Sequence, residues 1–155
     1  MLRNQWLVLA GFILVCLVTG GLGGWVTAQS VTDWYPTLVK PSWNPPNWIF
    51  GPVWTALYLM MAVAAWLVWR SDGNIRGAMI LFFSQLALNF AWSFLFFGAR
   101  SPWLGLMDIA MLWLALVITV IVFFQKSAAA GLLMLPYLVW VSFAAILNLA
   151  IWRLN

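Results

Sequence analysis

The run Trp103-Leu-Gly-Leu-Met-Asp-Ile-Ala-Met-Leu-Trp-Leu-Ala-Leu-Val-Ile-Thr-Val-Ile-Val-Phe-Phe124 holds twenty-two residues and one charge, that of Asp108. A helix rises about 1.5 Å per residue, so about 20 apolar residues cross the ~30 Å hydrocarbon core of a bilayer. Four more such runs lie around it, at about residues 5–26, 48–69, 77–97 and 130–152. None alternates strictly, as the roughly ten-residue strands of a membrane barrel do. The fifth run, about 103–124, completes the set. The expected fold is all-α: an integral membrane bundle of five transmembrane helices, one domain over residues 1–155, with a long structured loop between helices 1 and 2.

Composition leads to the same place. The chain is 66% hydrophobic and 6% charged, whereas soluble domains carry about 25% charged residues. Ten charged side chains on 155 residues cannot build a surface for water, so lipid is the solvent. The net charge of +4 does not point to nucleic acid, because the cations Arg70, Arg76, Arg100, Lys126 and Arg153 stand singly at run ends. Arg3, Arg70, Arg76 and Lys126 fall on one side of the membrane, and Lys40, Arg100 and Arg153 on the other. That balance leans toward a cytoplasmic N-terminus. Trp6 to Val26 exceeds the apolar core of about 7–15 residues in a cleaved leader, so the first run is read as a retained helix despite Arg3 before it and Val26-Thr-Ala28 at its end.

The inventory excludes several chemistries. With no His and a single Cys, Cys16, zinc sites, His-ligated haem and Ser-His-Asp triads are out, and no metal site is expected. Haem ligation is left to an unusual group such as Tyr or Met. Thirteen Trp are present. Trp6, Trp25, Trp48, Trp69, Trp103 and Trp152 sit near run ends, as interfacial Trp does. Trp54, Trp92 and Trp140 fall inside runs and need another reason.

The connections differ. Those between runs 2 and 3, 3 and 4, and 4 and 5 span about five to seven residues, which predicts antiparallel neighbours. The connection from Thr27 to Asn47 is far longer, and its prolines and aromatics suit a rigid cap. Thr32 or Asp33 is placed to cap a short helix there, ending before Pro41.

Alternation of five helices places that loop beside the start of helix 2, the end of helix 3, the start of helix 4 and the end of helix 5. The intramembrane polar residues collect in this half: Thr55, Gln85, Asn89, Ser93, Asp108 and Asn148. Spacings of three and four put Gln85, Asn89 and Trp92-Ser93 on one face. They do the same for Trp54, Tyr58 and Met61, and for Trp140, Ala144, Leu147-Asn148 and Ile151. Polar faces are costly in lipid and should point inward. Each also has a plainer reading: amides in membrane helices bond to neighbouring helices, at about 0.6 kcal/mol on average, and Asp108 can pair with Arg100. Pro136 allows a kink beside Trp140. Gly20-x-x-x-Gly24 and Ala87-x-x-x-Ala91 permit close helix contact or dimerisation. The sum is an aromatic pocket with a few amides and hydroxyls under a proline-rich lid, which suits flat aromatic ligands.

Trp34-Tyr-Pro-Thr-Leu-Val-Lys-Pro-Ser-Trp-Asn-Pro-Pro46, with Gly51-Pro-Val-Trp-Thr-Ala-Leu-Tyr58, resembles the tryptophan-rich sensory protein family, also called the translocator protein or peripheral benzodiazepine receptor family (TspO/MBR). Gln85-x-x-x-Asn89-x-x-Trp-Ser93, Leu135-Pro-Tyr-Leu-Val-Trp140, Phe143-Ala144, Leu147-Asn148 and Ile151-Trp-Arg-Leu-Asn155 extend the resemblance along the chain. It implies a five-helix membrane protein that binds porphyrins such as protoporphyrin IX or haem, and benzodiazepine-site-type aromatic ligands, and that forms homodimers. No cofactor is required, and the expected location is a bacterial membrane. The resemblance makes Tyr35 and Pro45 lid residues of the ligand pocket, and matches Trp54, Asn89, Asp108, Trp140 and Ala144 to its wall. Tyr58, Trp92, Ser93, Phe143, Leu147 and Asn148 complete the candidate site. The family's sterol motif needs a Tyr that Leu147-Asn-Leu-Ala-Ile-Trp-Arg153 lacks, which argues against strong sterol binding. The functional expectation is tetrapyrrole binding in sensing, transport or detoxification. The alternatives are a light- and oxygen-dependent porphyrin-degrading photo-oxidase using Trp54 and Trp140, and a small-molecule or sterol transporter. Hydrolysis is not expected.

Overall fold

The computed structural model describes residues 2–155, with side chains from Asn4 onward; the part of the charge balance that counts Arg3 lies outside the described side chains. Five helices form: α1 Leu2–Ser30, α2 Asn47–Trp69, α3 Arg76–Ser93, α4 Pro102–Lys126 and α5 Ala128–Leu154. All five apolar segments are long enough to span a membrane, and no strand occurs among the described residues. The chain is a multi-pass membrane protein of the expected class.

The helices run past the apolar cores read from sequence because capping residues set their ends. Ser101 caps α4, its Oγ accepting from the Leu104 N–H at 3.2 Å with Pro102 in the first turn. Ser127 by itself ends α4 and starts α5. Its N–H donates to the Phe123 carbonyl at 2.8 Å, and its Oγ accepts from the Ala130 N–H at 3.3 Å. The connection expected to be five to seven residues is therefore one residue. Gly131 makes this reversal possible, since a Cβ there would run into the Phe124 ring.

Around the bundle the order is α1, α2, α5, α4, α3, with α3 closing against α1. The expectation that all consecutive helices are close neighbours fails for α2 and α3, which barely meet. The six-residue link from Arg70 to Ile75 reaches across to α3, and α5 takes the place beside α2.

The bundle is solid in the half away from the long loop. There Met61, Ala62, Ala64, Ala65 and Val68 of α2 share one buried cluster with Phe82, Leu116, Phe123, Ala130 and Met134. Small residues let backbones approach closely, which strengthens the van der Waals packing that helps hold helices together in lipid. Toward the long loop the side chains become aromatic and the helices separate. A second cluster of Tyr35, Phe96, Phe97, Leu147 and Ile151 joins the loop to the ends of α3 and α5.

The six tryptophans placed at run ends are exposed. Trp54, Trp92 and Trp140 are drawn inward, half-buried against the core.

Candidate functional site

Between the two clusters lies a cavity of about 550 Å³, within the roughly 300–1,000 Å³ range of small-molecule sites. Its wall takes Trp54, Tyr58, Asn89, Trp92 and Ser93 from α2 and α3, Trp140, Ala144, Leu147 and Asn148 from α5, and Tyr35 from the loop. These ten sequence candidates thus come together. Three others do not form the wall. Pro45 lies half-buried in the loop, its carbonyl accepting from Asn44 Nδ2 at 3.1 Å. Phe143 packs between Trp43 and Trp140, with centroid distances of 5.9 and 5.5 Å. Asp108 is 2% exposed, while α4 gives the wall Ile109 and Leu112 instead. Its suggested partner Arg100 is committed to Asp33, and Asp108 Oδ2 has no hydrogen-bond partner.

Two separate hydrogen-bond relays cross the bundle at the wall. The Tyr58 hydroxyl donates to Asn89 Oδ1, and Asn89 Nδ2 donates to the Tyr137 hydroxyl at 2.8 Å. Trp92 Nε1 donates to Asn148 Oδ1 at 3.1 Å, and Asn148 Nδ2 donates to the Pro102 carbonyl at 2.8 Å. These amides thus have the helix-bonding role of the plainer reading while facing the cavity. Gln85, one turn deeper, is fully buried with Nε2 3.9 Å from Met61 Sδ. Trp140 Nε1 is buried without a partner. It is a donor on the wall that the protein itself leaves unused.

Several groups on the wall or directly behind it escaped the sequence reading. After Ser93, α3 widens into a π-helical turn, Phe94–Gly98, closed by the Ala99 N–H on the Phe94 carbonyl at 2.6 Å. The extra residue turns both Phe96 and Phe97 inward. Phe96 stacks on Trp92 at 5.0 Å and 20°, and Phe97 stands edge-on to it. Such turns are frequent at functional sites, but nothing in Phe-Leu-Phe-Phe-Gly marks one. Tyr137, wholly buried and bonded to Asn89, follows Pro136 in a motif read for its proline. On α1, Gly20 meets the Tyr58 ring, where a Cβ would come within 2.5 Å. Gly20-x-x-x-Gly24 therefore serves a contact inside the chain and the cavity wall.

The long loop covers the cavity as a lid. Its only helical turn is Tyr35–Thr37, shorter than expected. Thr32 is exposed, and Asp33 Oδ1 accepts from the Trp34 N–H at 2.6 Å. Arg100, at φ +53° in the left-handed region rare for residues other than glycine, holds Asp33 Oδ2 at 2.7 Å. The Trp34 N–H, with help from the Arg100 charge, keeps the Asp33 carboxyl below its ordinary range. Lys40 Nζ donates to the Tyr35 and Leu38 carbonyls and lies over the Tyr35 ring. The Tyr35 hydroxyl donates to Asn44 Oδ1 at 3.0 Å, and burial raises its pKa.

Comparison with known proteins agrees with this architecture. The model of the TspO/MBR family matches residues 12–153. The tryptophan-rich protein TspO of Chlorobaculum tepidum is 46% identical, with 99% of each chain covered. The tryptophan-rich protein TspO of Archaeoglobus fulgidus is 44% identical over 96% of this chain and 97% of its own. The human translocator protein is 37% identical over 97% of this chain and 91% of its own. A family match over residues 12–153, on five helices long and apolar enough to span a membrane, makes this chain a member of the TspO/MBR family.

Proposed function

We propose that this membrane protein binds a tetrapyrrole, a porphyrin such as protoporphyrin IX or haem, in the cavity under the lid, and serves in porphyrin sensing, transport or detoxification. The observation that carries this reading is the wall itself. Trp54, Trp92, Trp140, Tyr35, Phe96 and Phe97 line about 550 Å³ with no charged side chain among them. Flat conjugated rings stack on such surfaces. The unpartnered Trp140 N–H offers an acceptor atom of the ligand a buried, unused donor. The same wall suits benzodiazepine-site-type aromatic ligands. No cofactor is needed for binding. The chain works as a homodimer in a bacterial membrane, with the exposed Ala87 on the outer face of α3 as the small-residue contact.

Titration of purified protein with protoporphyrin IX tests this, because energy transfer from the wall tryptophans makes binding a saturable loss of their fluorescence. Trp140→Ala weakens binding by about 1–3 kcal/mol if ring stacking here matches base stacking on aromatic side chains. Unchanged affinity in a Trp54→Ala, Trp140→Ala double variant sinks the site.

A second reading, photo-oxidation of the bound porphyrin, draws on the position of two oxidisable indoles, Trp54 and Trp140, on one cavity wall. Light and molecular oxygen would be its reagents.

A further inference from the structure

The cavity is shut toward the loop and open toward the lipid. On the loop side the lid is fastened at separate points. Asn155 Oδ1 accepts from the Val39 N–H at 2.9 Å, and Asn155 Nδ2 donates to the Val39 carbonyl at 3.0 Å. Arg100 holds Asp33, and the Ser30 hydroxyl donates to the Phe97 carbonyl at 2.9 Å. Trp34 and Tyr35 pack onto Phe96 and Phe97. Among the described residues no side-chain hydrogen bond joins α1 to the start of α2. Every exposed residue of the cavity wall belongs to these two helices: on α1 Gly21, Gly24 and Ala28, with Leu17 below them, and on α2 Asn47, Gly51 and Thr55.

The gap has a bottom and a clear passage above it. At the bottom Gly20 is pressed on the Tyr58 ring. Above, a Cβ added at Gly21, Gly24 or Gly51 would meet no atom within 4 Å. Gly21, Gly24 and Gly51 lie within the membrane-spanning segments Asn4–Ser30 and Asn47–Trp69. The opening therefore lies on the lateral flank of the membrane-spanning bundle rather than at its loop end. The Thr55 hydroxyl beside it is turned onto the Gly51 carbonyl at 2.9 Å, which leaves it little polarity to offer water. Inside stands the buried, unpartnered Trp140 N–H.

We propose that ligands enter and leave this cavity sideways from the bilayer, between α1 and α2, while the lid stays closed. The proposal rests on the cavity being a ligand site, as argued above, and it narrows the ligand class to flat molecules with a large apolar ring surface that partition into lipid. Lid fastening then sets the shape of the site rather than access to it.

The test uses the full chain in proteoliposomes with Cys16→Ala and Ser93→Cys, which leaves one thiol, on the inner cavity wall. N-phenylmaleimide, uncharged and lipid-soluble, labels it at least about tenfold faster than a sulfonated, membrane-impermeant maleimide, a barrier difference of about 1.4 kcal/mol. Gly24→Leu and Gly51→Leu each slow phenylmaleimide about tenfold, and Gly24→Ala slows it less. Asp33→Asn combined with Asn155→Ala leaves the rate unchanged. Equal labelling in denaturing detergent and an unchanged helical spectrum verify each variant, and the milder alanine carries the test if a leucine variant does not fold. The proposal is overturned if the sulfonated reagent labels as fast, if filling the gap has no effect, or if unfastening the lid accelerates labelling. The readout needs no porphyrin. If protoporphyrin IX does not bind while labelling follows the gap, the porphyrin reading falls and the route stands; if porphyrin binds while labelling ignores the gap, the route falls alone.

Discussion

The Asn89 side-chain amide on α3 donates to the Tyr137 hydroxyl on α5 at 2.8 Å while its carbonyl accepts from the Tyr58 hydroxyl on α2. One amide thus joins three helices, although α2 and α3 hardly touch elsewhere. Asn89→Leu leaves two buried hydroxyls without their partner. A buried polar group stranded in this way costs about 1–3 kcal/mol. Thermal unfolding in detergent should show this loss, and porphyrin affinity should fall with it. Wild-type stability in Asn89→Leu would mean that the tyrosines find other partners.

Ala144 stands on the cavity wall one helical turn after Trp140. Ala144→Thr adds a branch and a hydroxyl to that surface. Overfilling a packed site typically costs about 1–3 kcal/mol, and here the cost should fall on the ligand. The expected result is weaker protoporphyrin IX binding at normal expression and unfolding temperature. Retention of full affinity would show that the ligand does not reach this turn.

Asp33 supplies a pH dependence whose sign follows from its depressed pKa. Its contribution to the folded state is complete above the unfolded carboxylate pKa of about 3.9. It is lost as pH falls through the lower, folded-state value. The Arg100–Asp33 contact is exposed, so the effect is small and screened by salt. Proteolysis of the lid should rise in wild type across that acid window. In Asp33→Asn it should be higher at neutral pH and flat through the same window. A wild-type lid indifferent to acid would show that Asn155 and Ser30 suffice to hold it.

Binding and photo-oxidation separate at the indoles. Trp54→Phe and Trp140→Phe keep a stacking ring but are much harder to oxidise. If the protein only binds, illumination in air bleaches bound porphyrin alike in wild type and both variants. If it is a photo-oxidase, a defined, oxygen-dependent product forms with wild type and is absent from both variants at matched occupancy. Product analysis after illumination decides between them.

The spans, the sidedness of the polar residues and ten residues of the cavity wall were legible in the sequence. Each follows from local rules: apolar length against bilayer thickness, and the 3.6-residue period that gathers Trp140, Ala144 and Leu147-Asn148 on one face. Asp108 was legible as an intramembrane polar residue that should point inward, but burial alone does not say which buried groups meet the cavity. Phe96 and Phe97 were illegible because the π-helical turn breaks the period used to read them. The one-residue link at Ser127 was illegible because capping carried both helices past their apolar cores.

The amino-acid sequence by itself determined that this chain lies in a membrane as five helices, because 66% hydrophobic composition in span-length runs leaves no other solvent or secondary structure. It also determined which half of the bundle is aromatic and polar, since helices that alternate in direction fix which residues share a side. Only the tertiary structure decided that α5, not α3, packs beside α2, that Arg100 belongs to Asp33 rather than Asp108, and that the glycines of α1 border a gap toward the lipid. Those outcomes depend on which surfaces pack most closely across the bundle, a property of residues far apart in the chain that no local period records.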